Sequence, residues 1–250
     1  MSIIPDGIIA HRGVCMVAPE NTMASFRQAA AQGVSWIEAD TSLLGDGELI
    51  ICHDSSVDRC SNGTGKLADL NTDDIHGLDI GSWFSPEFKD ERFPFLRAAL
   101  KEIQQLGLGL NLEFKIHEDE AEELIPAFSK IIQECWHDFD RLVVSSFDWE
   151  GLLLLRRLSP EIKIGMLMNS VEAGWLETAK ELNAFSIHAH HKKLTREDVE
   201  AVKDAGLELY IFTPNEPEKV SMFWDWGIDA VITDCPAAFQ EKGIPRRQDT

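Results

Sequence analysis

Basic residues are scarce in this chain. Its 250 residues include 23 lysines and arginines against 43 aspartates and glutamates, which gives a formal net charge of −20. Proteins bind nucleic acids and anionic membranes through clustered positive charge. We therefore expect no nucleic-acid partner, and an anionic substrate would need local positive charge, such as a bound cation.

Long apolar runs and cysteine motifs are also lacking. No segment approaches the ~20 apolar residues of a membrane-spanning helix, and the N-terminal stretch has neither the basic leader nor the apolar core of a signal peptide. The five cysteines are an odd number without a Cys-x-x-Cys pair. This argues against a disulfide framework or a structural zinc site. We expect a soluble cytoplasmic protein without stable membrane association.

Short apolar segments alternate with longer amphipathic segments along the chain. The segments between the predicted strands have helical periodicity, and several end at glycine. Eight strand–helix repeats predict an α/β fold, a single (β/α)₈ TIM barrel over residues 1–250, with a doubly wound open sheet as the alternative. The tail after Gly243 is expected to be disordered. The predicted strands are 7–10, 36–40, 109–115, 142–146, 162–167, 185–188, 207–212 and 230–233.

One interruption of this alternation is a predicted β-hairpin that begins with the second strand. The Asp-Gly pair at 46–47 is typical of a two-residue type I′ turn. That turn places Asp40 opposite His53, and Glu38 lies on the same face because strand side chains alternate. A three-residue loop would instead place Ala39 opposite His53.

A second interruption is the segment 54–94, which is rich in Asp, Gly and Ser. Loops longer than ~15 residues in compact domains usually have a function or a small structure of their own. Because the segment follows His53 directly, we interpret it as a small insertion that covers one edge of the barrel mouth. Its aromatic residues Trp83, Phe84 and Phe88 either pack in a core or line that mouth.

Polar residues follow the apolar parts of the first three predicted barrel strands, at the end where such barrels have their active sites. Three carboxylates are a hard ligand set that suits Mg²⁺ or Ca²⁺, and imidazoles suit proton transfer. A single carboxylate at a strand end is more often solvated or ion-paired, but alternation aims these ones away from their bulky neighbours and into the barrel. The residues are His11 and Arg12, Glu38 and Asp40, and Glu113 and Lys115.

Two other polar groups have simpler interpretations. His188, His190 and His191 resemble metal ligands but have no matching carboxylate or cysteine motif, so we predict no metal site there. Asn21 and Thr22 are predicted to cap the N-terminus of the following helix rather than to contact substrate.

Several short motifs occur together in one order along nearly the whole chain. As an ordered set they resemble the glycerophosphodiester phosphodiesterase family, whereas His-Arg-Gly alone would be weak evidence. The early motifs are Ala-His-Arg-Gly (10–13), Pro-Glu-Asn-Thr (19–22), Ile-Glu-Ala-Asp (37–40), His-Asp (53–54), Asn-Gly-Thr-Gly (62–65) and Leu-Glu-Phe-Lys (112–115). The later ones are Ser-Phe-Asp (146–148), Phe-Thr-Pro-Asn (212–215) and Thr-Asp-Cys-Pro (233–236).

The resemblance implies a role for each matching residue. Glu38, Asp40 and Glu113 would hold one divalent cation, Mg²⁺ or Ca²⁺ with Mn²⁺ as a third candidate. His11 and His53 would form the acid–base pair, and we assign His11 as the base and His53 as the acid.

The remaining implied roles concern the substrate. Arg12 and Lys115 would contact the phosphate, and the segment 54–94 matches the small insertion of this family. Phe212 would face the alcohol or glycerol part, where the family often has tryptophan. Phenylalanine cannot donate the indole N–H hydrogen bond, so recognition of that part would differ here.

The function that the resemblance implies is hydrolysis of small glycerophosphodiesters to glycerol 3-phosphate and an alcohol. The attacking group would be either water or the glycerol 2-hydroxyl. One alternative is a lipid-active phosphodiesterase of the lysophospholipase D or phospholipase C type, which would need an apolar mouth. Another is a non-catalytic barrel that binds phosphate ligands, which would not require both His11 and His53.

Overall fold

The computed structural model describes residues 2–243. None of the helices in this part of the chain is long and apolar enough to cross a membrane. The strands are β1 (Ile8–Ala10), β2 (Trp36–Leu43), β3 (Leu49–Ile51), β4 (Gly109–Phe114), β5 (Leu142–Ser146), β6 (Lys163–Met168), β7 (Ser186–His190), β8 (Glu208–Phe212) and β9 (Ala230–Thr233). The helices are α1 (Met23–Ala31), α2 (Thr72–His76), α3 (Leu96–Gln105), α4 (Ala121–Cys135), α5 (Trp149–Leu158), α6 (Trp175–Leu182), α7 (Arg196–Asp204), α8 (Pro217–Trp226) and α9 (Pro236–Lys242).

Eight of these strands form a closed parallel barrel. The pairing runs from β1 through β2 and β4 to β9, and β9 pairs again with β1. Closure confirms the predicted TIM barrel and excludes the open sheet. All eight predicted strands are barrel strands. The predicted disorder after Gly243 concerns residues outside the described part.

Alternation along each strand separates two apolar cores. In β2, Ile37 and Ala39 belong to the large core that includes buried residues of the surrounding helices. Trp36 belongs to a second core with Val143 and Tyr210, residues from opposite parts of the barrel wall. The side chains that share the inward orientation of Trp36 are therefore the ones that can reach the barrel interior.

The β2–β3 hairpin differs from the predicted register. The backbone N–H of Cys52 donates to the carbonyl of Asp40 (2.9 Å), so Cys52 rather than His53 lies opposite Asp40. The predicted two-residue turn was therefore wrong. The hairpin has the three-residue loop that we considered as the alternative; it spans 45–47, and Gly47 has a φ of 85°. His53 lies beyond the end of β3 and is not held by the ladder.

The insertion is anchored on β3 and shares a small core with the β2–β3 hairpin. The backbone N–H of Ile51 donates to the carbonyl of Pro94 (2.8 Å), so both ends of the insertion meet at this strand. Trp83, Phe84 and Phe88 lie outside the core and contact one another edge to face, with Trp83 44 % exposed. The core consists of Leu44, Ile50, Cys52, Val57, Leu67, Ile75, Ile80 and Phe93.

The packing around Trp36 predicts a stability effect. A Cβ added at Gly109 would lie 2.3 Å from Cε2 of Trp36, a ring that is only 1 % exposed. We expect Gly109→Ala to lower the free energy of unfolding by about 1–3 kcal/mol, because the enclosed ring cannot move aside. Urea unfolding measures this.

The matched control is Gly77→Ala, since nothing lies within 4 Å of a Cβ added at Gly77. Its expected effect is within about 0.5 kcal/mol. A Gly109→Ala protein as stable as the wild type would contradict the described packing.

Candidate active site

Two neighbouring strands place three carboxylates inside the carboxyl-terminal end of the barrel. Glu38 and Asp40 share one side of β2, and Asp40 is in register with Glu113 on β4. Glu38, Asp40 and Glu113 are 3 %, 1 % and 7 % exposed, respectively. One carboxylate oxygen of each residue lies within 4.8 Å of those of the other two. The convergence predicted from the sequence is therefore confirmed.

Two basic side chains contact this carboxylate cluster. Nζ of Lys115 lies 3.0 Å from Oδ1 of Asp40 and 2.5 Å from Oε1 of Glu113. The backbone N–H of Arg12 donates to Oε2 of Glu38 (2.9 Å). Nε of Arg12 is 3.3 Å from Oδ2 of Asp40. The two residues predicted to contact phosphate thus lie beside the three predicted metal ligands.

The charges of the cluster are only partly balanced. Burial and then the neighbouring carboxylates raise the pKa of Glu38 well above its usual range. Burial raises the pKa of Glu113 to about 7, although Lys115 opposes this shift. Burial also opposes ionisation of Asp40, but Lys115 and Arg12 hold its pKa below its usual range. A set of buried oxygen donors with excess negative charge fits a hard divalent cation.

Arg12 has an unusual backbone conformation, and its side chain is held by Glu20. Arg12 has a φ of 54°, and Gly13 follows with a φ of 77°. Nη1 of Arg12 donates to Oε1 of Glu20 (2.7 Å), while its buried Nε has no hydrogen-bond partner. The contact from Nε to Asp40 is close enough for charge attraction but is not a hydrogen bond. Glu20 and Asp40 therefore both hold the guanidinium beside the carboxylate cluster.

His11 is held by a carboxylate from the last barrel strand. Its Nδ1 lies 2.6 Å from Oδ1 of Asp234, and its Nε2 lies 3.9 Å from Oε2 of Glu38. The amide of Asn215 donates to Oδ2 of Asp234 (2.7 Å) and accepts from the Asp234 backbone N–H (3.0 Å). Burial opposes ionisation of Asp234, but the hydrogen bond with His11 keeps its pKa below the usual range. Asp234 therefore directs Nε2 of His11 towards the carboxylate cluster.

His53 is held by its neighbour in sequence. Its Nδ1 lies 2.7 Å from Oδ1 of Asp54, and its side chain is 35 % exposed. Burial lowers the pKa of His53, although Asp40 and Asp54 oppose this shift. A hydrogen bond from Arg59 lowers the pKa of Asp54 to about 2, so that this partner stays ionised.

Several of the contacts that hold these side chains were not predicted from the sequence. Asp234 belongs to a quoted motif, and alternation with Ile232, an interior residue, could have placed it inside the barrel. Thr22 caps α1 as predicted, since its side chain accepts from the Ser25 backbone N–H (3.1 Å). The capping prediction was wrong for Asn21, whose amide instead donates to Oδ2 of Asp40 (2.8 Å).

The other histidines have different environments. His188 is fully buried, its Nε2 lies 2.9 Å from Oγ of Ser186, and burial lowers its pKa to about 3. The rings of His190 and His191 stack with centroids 5.1 Å apart. Neither these two nor His188 belongs to a group with metal-ligand spacing in the described part of the chain.

Phe212, the residue predicted to face the alcohol part, ends β8 at the same end of the barrel. Its ring packs edge to face against the rings of Phe147 and His190, with centroid distances of 6.0 Å and 5.5 Å. Phe147 is 46 % exposed. These three side chains form an aromatic rim, which we define as Phe147, His190 and Phe212.

Comparisons with known proteins agree with this arrangement. Residues 11–238 match the glycerophosphoryl diester phosphodiesterase family model. A glycerophosphodiester phosphodiesterase of Caldanaerobacter subterraneus subsp. tengcongensis is 33 % identical, with 92 % of this chain and 94 % of that protein covered. A glycerophosphodiester phosphodiesterase of Bacillus subtilis is 28 % identical, with 95 % of this chain and 87 % of that protein covered.

A solved structure gives the same result in three dimensions. The phosphodiesterase of Oleispira antarctica in complex with the product sn-glycerol 3-phosphate has a TM-score of 0.90 and 35 % identity, with 94 % of this chain and 95 % of that one covered. These matches extend over almost all of the described residues. This chain belongs to the glycerophosphoryl diester phosphodiesterase family.

Proposed function

We propose that this protein hydrolyses small glycerophosphodiesters to glycerol 3-phosphate and an alcohol. The observation that supports this most strongly is the placement of His11, His53, Arg12 and Lys115 around one buried carboxylate cluster. The 35 % identity to a phosphodiesterase with bound sn-glycerol 3-phosphate supports the choice of substrate class.

Binding of the diester requires compensation of its negative charge. A phosphodiester repels nucleophiles unless its non-bridging oxygens are neutralised. Arg12 offers a buried Nε–H without a partner, and Lys115 offers an ammonium group at the edge of the cluster. We assign both to the phosphate.

Glu38, Asp40 and Glu113 would hold the divalent cation, which we propose to be Mg²⁺ or Ca²⁺, with Mn²⁺ also suited to such oxygen donors. When bound, such an ion supplies Lewis-acid stabilisation of charge on the phosphate. The raised pKa values of Glu38 and Glu113 support this assignment, since a cation would favour their ionised forms.

His11 and His53 would transfer the protons, and their contacts distinguish them. Asp234 holds His11, and its other side-chain contacts, from Asn215 and Cys15, are neutral. Asp54 holds His53 but also pairs with the charged Arg59. A carboxylate stabilises an imidazolium best when no other cation compensates it.

The compensation of Asp54 by Arg59 favours a neutral His53 in the free protein. The pKa of His53, lowered by burial, agrees with that. We therefore propose His53 as the base for the attacking hydroxyl and His11 as the acid for the leaving alkoxide. This order is the reverse of the one assigned from the sequence. The attacking hydroxyl belongs either to water or to the glycerol 2-position.

Replacement of either histidine tests the acid–base pair. We expect His11→Ala and His53→Ala each to lower kcat by about 10²–10⁴-fold, the usual effect of losing a positioned proton-transfer group. The assay is hydrolysis of glycerophosphocholine, with folding checked by circular dichroism. His137→Ala is the control, because His137 is exposed on the segment that follows α4. Loss of activity in the control but not in the other two would refute the pair.

Removal of metal tests the carboxylate cluster. EDTA treatment should abolish hydrolysis, and Mg²⁺, Ca²⁺ or Mn²⁺ should restore it. At a hundredfold excess over its Kd, the restoring ion should also raise the free energy of unfolding by about 2.7 kcal/mol. Glu113→Gln should remove most of that stabilisation. Full activity in thoroughly metal-stripped protein would contradict the proposal.

A lipid-active phosphodiesterase is the second candidate, and exposed apolar side chains favour it. Met16 and Val17 in the segment after β1 are 61 % and 48 % exposed, and Phe147 of the aromatic rim directly follows β5. Such residues could contact an acyl chain. Against this, the insertion residues Arg59 and Phe93 line a small cavity beside His53, so the insertion occupies space on this side of the site.

Substrate size separates the two candidates. We expect kcat/KM for glycerophosphocholine to exceed that for two-chain phospholipid vesicles at least tenfold, about 1.4 kcal/mol in transition-state binding. The physical reason would be that the insertion beside His53 takes up space that two acyl chains would need. Turnover of diacyl lipid at an equal or higher kcat/KM would support the lipid-active alternative.

A further inference from the structure

Arg59 links the insertion to Glu20, a residue of the segment that follows β1 at the catalytic end of the barrel. Its guanidinium makes two pairs of short contacts although its side chain is 47 % exposed. Nη1 and Nη2 donate to the carboxylate of Glu20 at 2.7 and 2.8 Å. Nε and Nη2 donate to the carboxylate of Asp54 at 2.6 and 3.0 Å. One side chain therefore binds two carboxylates bidentately.

Each of these carboxylates in turn holds a group to which the proposed function gives a role. Asp54 accepts the hydrogen bond from Nδ1 of His53 (2.7 Å). Glu20 accepts the hydrogen bond from Nη1 of Arg12 (2.7 Å). The contacts form a continuous chain from His53 through Asp54, Arg59 and Glu20 to Arg12. A side chain of the insertion thus connects a proton-transfer group to a phosphate-binding group.

The chemistry of this connection requires arginine. The carboxylates of Asp54 and Glu20 both lie within 3.0 Å of one guanidinium, so without it they would repel each other. Lysine supplies the charge, but its ammonium group cannot form bidentate hydrogen bonds with two carboxylates at once. Isolated surface ion pairs contribute little, about 0–1 kcal/mol, but this arrangement is bidentate on both sides and Glu20 is only 13 % exposed.

We propose that Arg59 is a positioning residue for the reaction, which fixes the His53 imidazole through Asp54 and the Arg12 guanidinium through Glu20. This inference rests on the proposed function. The insertion then has a role in the reaction itself, because it sets the relative placement of a proton-transfer group and a phosphate-binding group. Loss of Arg59 should affect kcat through His53 and KM through Arg12.

Kinetics of Arg59 variants test the proposal. Arg59→Gln and Arg59→Lys should each lower kcat/KM for glycerophosphocholine by about 10–100-fold, the range found when the partners of active-site ligands are removed. Both kcat and KM should change. The matched control is Arg92→Gln, since Arg92 is an exposed arginine of the insertion whose ion pair is with Asp90. Its kcat/KM should stay within about twofold, as expected for an exposed pair of little energetic weight.

A rescue experiment separates positioning from mere attachment of the insertion. The Arg59 site is partly exposed, so millimolar guanidinium should restore part of the kcat of Arg59→Ala and leave that of Arg92→Ala unchanged. A purely structural role would lower the unfolding midpoint and leave kcat per folded molecule unaltered. Wild-type kcat/KM in both Arg59→Gln and Arg59→Lys would overturn the proposal.

A readout independent of activity keeps this proposal separate from the proposed function. The ¹⁵N chemical shifts of the His53 imidazole report the hydrogen bond at Nδ1. They should move in Arg59→Gln and stay in place in Arg92→Gln. If the wild type hydrolyses no glycerophosphodiester, the proposed function is wrong. The ¹⁵N shifts would still show whether Arg59 holds the His53 imidazole in place. Unchanged shifts in Arg59→Gln would overturn the role of Arg59 even in an active enzyme.

Discussion

Three carboxylates are buried together at one end of the barrel, and much of the surrounding structure compensates their charge. Removing an ionised carboxylate from water costs several kcal/mol unless partners replace the lost hydration. Asp40 receives the most partners, with Lys115, Arg12 and Asn21 all in contact. Glu38 and Glu113 remain less well compensated, as their raised pKa values indicate. This residual charge makes the end of the barrel suited to a cation and, with Arg12 and Lys115, to a phosphate.

The histidines on either side of this cluster are fixed by carboxylates that differ in origin. Asp234 comes from the end of the last barrel strand, so the position of His11 depends on closure of the barrel. Asp54 comes from the start of the insertion, so the position of His53 depends on how the insertion packs on β3. The site is therefore assembled from two sources, the barrel and the insertion.

Strand periodicity accounts for what could be predicted from the sequence. It identified eight barrel strands and the shared orientation of Glu38, Asp40 and Glu113, because both are local properties of alternating residues. The hairpin register was wrong, since one turn motif is compatible with two loop lengths. The contacts of His11 with Asp234 and of Arg59 with Glu20 join residues far apart in sequence, so they depend on closure and on the path of the insertion.

The central claim is that the buried carboxylates hold the cation that a phosphodiester substrate needs. A crystal structure of the protein with Mn²⁺ and sn-glycerol 3-phosphate, measured with anomalous scattering, tests it most directly. We expect one strong anomalous peak within about 2.0–2.6 Å of oxygens from Glu38, Asp40 and Glu113, with a phosphate oxygen nearby. A peak elsewhere, for example beside His190 and His191, or no peak between the carboxylates at saturating Mn²⁺, would contradict it.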